Sequence, residues 1–220
     1  MKTLTIAFIF IFLITVKPQT PPMADYEVTP GTKGNQIILS LSNISEIINA
    51  ENVEVKPLLN GKNFEDHYIK FAKKSQVVEK INPKEEMEVI FEFDVKREAP
   101  VNKKDTVEFL ITGSEGVYAA KQFILSYTAP KDYKLEQNFP NPFNPTTTIQ
   151  YQIPVNKSGA FVSLKIYDIL GSEVATLVND KQEAGYYDIE FNGSPLASGM
   201  YIYRLSAGDY VSTKKMMMIK

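Results

Sequence analysis

The chain contains a single histidine, His67, flanked by Glu65 and Asp66 in the stretch FEDHYIK. An imidazole beside a carboxylate is half of a Ser/His/Asp triad, but the triad also needs a serine nucleophile, and no G-x-S-x-G elbow is present. As a metal ligand His67 would need company, because zinc sites are usually built from roughly three or four side chains. A surface-loop histidine is the simpler reading. Glu85, Glu86 and Glu88 could serve as the acid and base of glycoside hydrolysis, yet they open a strand, where a solvated face is the ordinary outcome. Cysteine is absent, which removes disulfides, thiolate metal sites and a lipoprotein anchor. There is no phosphate-cradling glycine loop, dinucleotide fingerprint or calcium loop. Asn43-Ile44-Ser45 and Asn192-Gly193-Ser194 fit the glycosylation sequon. Tyr68 and Phe71 could stack on a sugar, although anchoring in a core or loop is simpler. The expectation is therefore a protein that is not an enzyme, with no catalytic residue, no metal and no cofactor.

What the chain offers instead is conformational chemistry. In YKLEQNFPNPFNPTTT, Tyr133 to Thr148, the run Pro140-Asn141-Pro142-Phe143-Asn144-Pro145 places three prolines close together. Each proline fixes φ near −65° and removes a backbone donor, so neither a helix nor a central strand runs through it. The residues before them, Phe139, Asn141 and Asn144, are pushed towards extended geometry. The spacing predicts a stiff, extended segment, anchored to a core by Phe139 and Phe143, with the asparagines bonding local backbone.

The elements that must hold such a segment are strands. With 220 residues, 44% of them hydrophobic, and a net charge of −2, the chain suits one large or two smaller globular domains. The lack of basic excess argues against nucleic acid as a partner. Lys2 followed by the apolar run Leu4 to Val16 reads as a signal peptide, too short to span a membrane and closed by Lys17-Pro18-Gln19-Thr20-Pro21-Pro22. Residues 1–24 are assigned to this leader and its exit segment. Ala24 and Thr20 are both small-residue candidates near its end.

From 25 to 128, period-2 runs alternate with turn signals. Ile37, Leu39 and Leu41 share a face; so do Val53 and Val55. In the clearest strand, Met87, Val89, Phe91, Phe93 and Val95 oppose Glu88, Glu92 and Asp94, with Ile90 out of pattern. Val107, Phe109 and Ile111, then Phe123, Leu125 and Tyr127, repeat the device. Turns are expected at Asn60-Gly61, Asn82-Pro83, Asn102 to Asp105 and Gly113 to Gly116, and Phe64 to Lys74 reads as a loop or a short strand. Residues 129–132 form a linker. From 133 to 220 about six strands follow, over residues 149–153, 162–166, 174–178, 187–191, 200–205 and 210–219, with turns at Asn156 to Gly159 and at Asn192 to Pro195. Gly171 reverses the chain, and Gly199 turns it before Tyr201 packs inward. The fold class is all-β: two antiparallel immunoglobulin-like β-sandwich domains in tandem.

The first of these resembles the immunoglobulin-like modules that accompany exported bacterial enzymes and adhesins, through a pattern such as NPKEEMEVIFEFDV. The second is similar, over Tyr133–Lys220, to the C-terminal sorting domains of the bacterial type IX secretion system, type A. The landmarks stand in family order: LEQNFPNPFNPTTTIQYQIP, VSLKIYDILGSEVATLVN, EAGYYDIEFNG, LASGMYIYRL and the basic last strand VSTKKMMMIK. The resemblance implies Pro140 to Pro145, Gly171, Gly199, Tyr201, Lys214 and Lys215 as the sorting motif.

That resemblance also implies partners: the general export machinery, a type IX outer-membrane translocon, a surface sortase-like peptidase and, for retained cargo, surface lipopolysaccharide. It implies removal of the domain near Ala129 to Tyr133 and delivery to the cell surface or the medium. From the residues alone, Lys214 and Lys215 read as guards of an edge strand; the resemblance favours a strand offered to a partner. The function expected is a non-catalytic exported protein with a small β-sandwich cargo for adhesion, binding or structure. Alternatives are a carbohydrate- or protein-binding accessory module and, less well supported by a cargo of this size, a small hydrolase.

Overall fold

The computed structural model describes residues 3–11, 24–59, 67–114, 118–155 and 159–220. The turns expected at Asn60-Gly61, Gly113 to Gly116 and Asn156 to Gly159, and most of the leader, fall wholly or partly outside these residues. Every element among the described residues is a strand. Two compact units are formed, Met1–Lys96 with Asn102–Tyr127 and Arg97–Val101 with Thr128–Lys220.

In the first unit the strands are β1 (Thr3–Ile11), β2 (Ala24–Val28), β3 (Asn35–Asn43), β4 (Ala50–Leu59), β5 (Ile69–Phe71), β6 (Gln76–Ile81), β7 (Glu86–Val95), β8 (Lys104–Thr112) and β9 (Tyr118–Tyr127). One sheet runs β1-β3-β7-β5 and the other β2-β9-β8-β4-β6. The inward faces are the ones that alternation marks: Ile37, Leu39, Leu41, Val53, Val55, Phe91, Phe93, Val107, Phe109, Ile111 and Leu125 are all buried. Aromatic rings bridge the sheets, with Phe91 and Phe109 centroids 5.0 Å apart. Met87 keeps to that face but lies at the strand's start, 37% exposed. Two ladders are parallel rather than antiparallel, β1 with β3 and β2 with β9. Of the stretch Phe64 to Lys74, residues 64–66 lie outside the described residues and Ile69–Phe71 forms the short β5, whose Phe71 ring lies 5.4 Å from Phe93 and 5.9 Å from Phe109. Phe71 is therefore a core anchor.

The second unit holds β10 (Lys134–Leu135), β11 (Thr146–Ile153), β12 (Ala160–Tyr167), β13 (Glu173–Gln182), β14 (Gly185–Asn192), β15 (Gly199–Ala207) and β16 (Tyr210–Met218). The sheets are β10-β11-β14 and β13-β12-β15-β16. Ile149, Tyr151, Ile153 and Phe191 on one inner face pack with Val162, Leu164, Ile166, Tyr203, Leu205, Met216 and Met218 on the other. The short β10 exceeds the six strands expected, because two residues carry no period to read. β13 shows why it was legible only as Val174 to Val178: it is bulged against β12, and its residues are half-buried or exposed rather than cleanly alternating.

Candidate functional site

The residues that could have done chemistry in the first unit are spoken for structurally. His67 Nε2 lies 3.6 Å from Asp105 Oδ2, and its ring meets Tyr68 edge-on at 5.3 Å. It is thus a loop histidine, half-buried against a carboxylate that also accepts from the Tyr127 hydroxyl. Glu85 closes the turn before β7, its Oε2 accepting from Asn82 N at 2.7 Å and Nδ2 at 2.8 Å. Glu86 takes a hydrogen bond from Ser40 across the ladder, and Glu88 lies exposed. The sequon asparagines act as turn caps: buried Asn43 donates to Ile48 O and Ile81 O, and Asn192 Oδ1 accepts from Ser194 N at 2.9 Å. No group of three or more His, Asp or Glu able to hold a metal occurs among the described residues.

The proline–asparagine run of the second unit has a more specific arrangement. Phe139 and Thr148 exchange backbone hydrogen bonds at 3.0 and 2.9 Å, an isolated antiparallel bridge just ahead of the prolines. That bridge points Asn138 into the sandwich and Phe139 out of it, since neighbours on an extended chain face opposite sides. Phe139 is accordingly 80% exposed, and the expectation that it anchors the segment is corrected: Phe143 alone does so, at 1%. The Phe143 ring meets Phe191 at 6.0 Å. The peptide bonds Phe139–Pro140 and Asn141–Pro142 are cis.

Asn138 is buried and fully used. Its Nδ2 donates to Pro140 O at 3.0 Å and to Thr147 Oγ1 at 2.9 Å, while Thr147 Oγ1 donates to the same carbonyl at 2.8 Å. Its backbone N–H donates to the Tyr203 hydroxyl at 2.8 Å, and that hydroxyl donates to Glu136 O at 2.8 Å. Buried polar groups are tolerated when every one has a partner, and here the network fixes where the run begins. Burial pushes the Tyr203 phenol up to about 12, against a smaller lowering by the Asn138 backbone bond.

The other end of the run lies along the last strand. β16 is the outer strand of its sheet. Its outward backbone groups are met in order: Gln137 Nε2 donates to Lys215 O at 2.8 Å, Met217 N donates to Asn141 Oδ1 at 2.9 Å, Phe143 N donates to Met217 O at 2.9 Å, and Ile219 N donates to Phe143 O at 3.0 Å. Pro140, Asn141, Pro142 and Asn144 are exposed around this seam, and Pro145 is half-buried, its carbonyl accepting from Gly193 N at 2.8 Å. The run and the carboxy-terminal strand therefore form one continuous clasp. A Cβ on buried Gly193 would sit 2.9 Å from Met218 Sδ and 3.1 Å from Phe143 Cε2, so any larger residue forces one of these side chains to shift.

The remaining motif residues are dispersed. Gly171 takes φ of 84° in the exposed β12–β13 turn, where Asp168 Oδ1 accepts from Leu170 N and Ser172 N, each at 2.9 Å. Gly199 does not make the turn expected of it. It is the first residue of β15, paired with Met218, and the reversal is carried by the turn after β14, where Leu196 N donates to Gly193 O at 2.8 Å. Tyr201 is buried and its hydroxyl donates to Ala197 O at 2.9 Å. Lys214 is half-buried opposite Tyr203, and Lys215 is exposed opposite Ile202. The roles of Asn138 and Thr147 in this network, of the Tyr203 hydroxyl and of Gly193 behind the clasp were missed by sequence reasoning. The available signal was Thr147, a polar residue in step with the inward series Ile149, Tyr151 and Ile153.

Among solved structures the chain is similar to dimeric latent PorU from Porphyromonas gingivalis, at 15% identity and a TM-score of 0.33, covering 92% of this chain and 19% of that one. It is likewise similar to the calcium binding domain CBD12 of CALX1.1, at 10% identity and a TM-score of 0.37, covering 83% of this chain and 77% of that one. The chain thus spans about a fifth of the PorU chain, 19%. No curated protein matches it. Residues 137–220, from Gln137 of the clasp to the end of the chain, match the family described as the secretion system C-terminal sorting domain. Residues 137–220, which hold the proline–asparagine run and the basic last strand, thus match a type IX secretion C-terminal sorting domain.

Proposed function

We propose that this is a non-catalytic exported protein whose first sandwich, residues 25–128, is a cargo for adhesion, binding or structure. The sorting domain, 133–220, addresses it through a type IX outer-membrane translocon to the cell surface or the medium. The observation that carries the reading is the family match over 137–220, coincident with a complete sandwich whose leading motif is bonded to its last strand. Residues 1–24 act as the leader for general export, 129–132 as the linker, and a sortase-like peptidase cuts near Ala129 to Tyr133. Surface lipopolysaccharide is the acceptor when the cargo is retained. A glycan-binding reading loses Phe71, whose ring is packed into the first core.

The test places residues 129–220 behind an exported fluorescent reporter in bacteria with and without a working type IX system. Reporter on the surface or in the medium of the first strain only is the expected result. Reporter held in the periplasm of both strains would refute the address. Deleting 133–220 from the full chain should strand the cargo in the periplasm.

A further inference from the structure

Sheet edges left open invite another strand, and proteins guard them with charge, proline, brevity or a cover. Among the described residues the sheet edges follow the rule strand by strand. β5 has three residues including Lys70, and β10 has two including Lys134. β2 carries Asp25 and Glu27, β6 carries Glu79 and Lys80, and β13 carries Glu173, Asp180 and Lys181. β14 carries Asp188 and Glu190, and β16 carries Lys214 and Lys215. β3 is the exception. Its nine residues, NQIILSLSN, contain no charge and no proline. Its guard is a cover: β1, Thr3–Ile11, lies against its outer edge in parallel, with Thr3 opposite Gln36, Phe8 opposite Ser40 and Ile11 opposite Asn43.

That cover belongs to the segment proposed above as a removable leader. The next strand, β2, does not replace it, because β2 joins β9 in the other sheet. The edge is also chemically equipped. Asn43 N donates towards β7, to Glu85 O at 2.9 Å. Alternation along a strand then turns the backbone N–H groups of Ser42, Ser40, Ile38 and Gln36 to the opposite, outer side.

We infer that the outer edge of β3 is a strand-acceptor site, covered by Thr3–Ile11 in the unprocessed chain and vacated when the leader is removed. Its partner is an extended apolar strand donated by another polypeptide, running parallel to β3. Main-chain hydrogen bonds supply the attachment, as in other strand additions. The kind of strand it takes is given by the one it holds, TLTIAFIFI, which is uncharged throughout. The inference rests on the leader reading, and the experiment separates the two.

The full chain is expressed with export and the recovered protein is sequenced from its amino terminus. A labelled peptide, TLTIAFIFI with lysines appended for solubility, is titrated into it and followed by fluorescence anisotropy and amide hydrogen exchange. Saturable binding is expected, with new protection at the Ile38, Ser40 and Ser42 amides. Ser40→Pro removes an outward backbone donor and places its ring in the edge, so it should weaken binding by about tenfold or more. It also deletes the Ser40 hydroxyl bond to Glu86, so Ser40→Ala, which loses only that bond, is its control and should bind as before. As a control that leaves the protein unaltered, peptides N-methylated at alternate residues are compared. One alternate set should abolish binding and the other should not.

A processed protein that shows no saturable binding overturns the acceptor site alone. Binding untouched by Ser40→Pro and by both methylated sets overturns it as well, since the peptide then sits elsewhere. A recovered protein that still begins at Met1 overturns the leader reading and the vacancy with it. A dimer of the processed protein that Ser40→Pro dissolves replaces the foreign donor with a second copy of this chain.

Discussion

Asn141, in the proline–asparagine run, accepts a hydrogen bond from the backbone N–H of Met217, in the last strand, at 2.9 Å. A side chain seventy-six positions upstream thereby closes part of the edge that β16 would otherwise present. Phe143 does the same with its backbone and adds a buried ring. The two residues should separate stability from recognition. Phe143→Ala should cost about 3–5 kcal/mol by emptying a core site. Asn141→Ala, at an exposed bond, should cost only about 0.5–1.5 kcal/mol. Urea unfolding measures both. On the proposed route a folded Asn141→Ala protein should still lose surface delivery, and undiminished delivery would show that the clasp is structural only.

Gly193 supports the clasp from behind. Adding one methyl there brings a Cβ to 2.9 Å from Met218 Sδ and 3.1 Å from Phe143 Cε2, so one of these buried side chains must shift. Gly193→Ala should therefore destabilise by about 1–3 kcal/mol. Shortening the clashing neighbour should relieve it, so Gly193→Ala with Met218→Ala should cost less than the sum of the single changes. Strict additivity in thermal melts would mean the methyl is accommodated by backbone movement instead.

How much of this was legible follows from how locally each feature is encoded. Inward positions such as Phe91, Phe93, Leu164 and Tyr203 lie in runs whose period of two is visible in the sequence, and they are buried. Phe139 and Phe143 share a residue type and a proline-rich setting, so nothing local separates them. The distinction comes from long-range partners, Thr148 for one and Met217 for the other. Asn138 is legible only afterwards, because its partners lie up to 65 residues away, at Tyr203. His67 lies in a loop, as its sequence reads, but the neighbouring Asp105 is thirty-eight positions away and only the fold sets it there. Pairings such as β2 with β9 in parallel depend on which sheet a short strand joins, and a five-residue run does not encode that.

Tyr203 makes a pH-dependent prediction. Its hydroxyl is held inside by Asn138 N and Glu136 O, and burial raises its pKa from 10.0 to about 12. A raised folded-state value means that the folded protein keeps the proton which the unfolded chain has already released. The contribution is fully present below pH 10, and it is lost as pH rises through about 12. Tyr151, also pushed up to about 12 by burial, adds in the same direction. Stability followed by urea unfolding should fall across this window. Tyr203→Phe should flatten part of the fall and, by leaving the buried Asn138 N–H unpaired, cost about 1–3 kcal/mol at neutral pH. An unchanged slope in the variant would assign the alkaline loss to other groups.

Lys214 and Lys215 decide between the two readings of the last strand. As edge guards they would act by repelling other strands, so removing them should leave a delivered protein that self-associates. As a docking feature they would act on a partner, so removing them should leave a soluble protein that is not delivered. Lys215 is exposed and Lys214 half-buried, and neither is in the packed core, so Lys214→Ala with Lys215→Ala should shift stability by about 0.5 kcal/mol or less per site. The bond from the Gln137 side-chain amide to Lys215 O survives either change because it uses no side-chain atom of the lysine. The expected outcome is a monomeric, folded double variant lost from the surface and the medium, with delivery restored by Lys214→Arg and Lys215→Arg. Restoration by arginine would assign the effect to charge, because the two side chains share little else than charge and length. Intact delivery accompanied by aggregation in light scattering would return these residues to the guarding role.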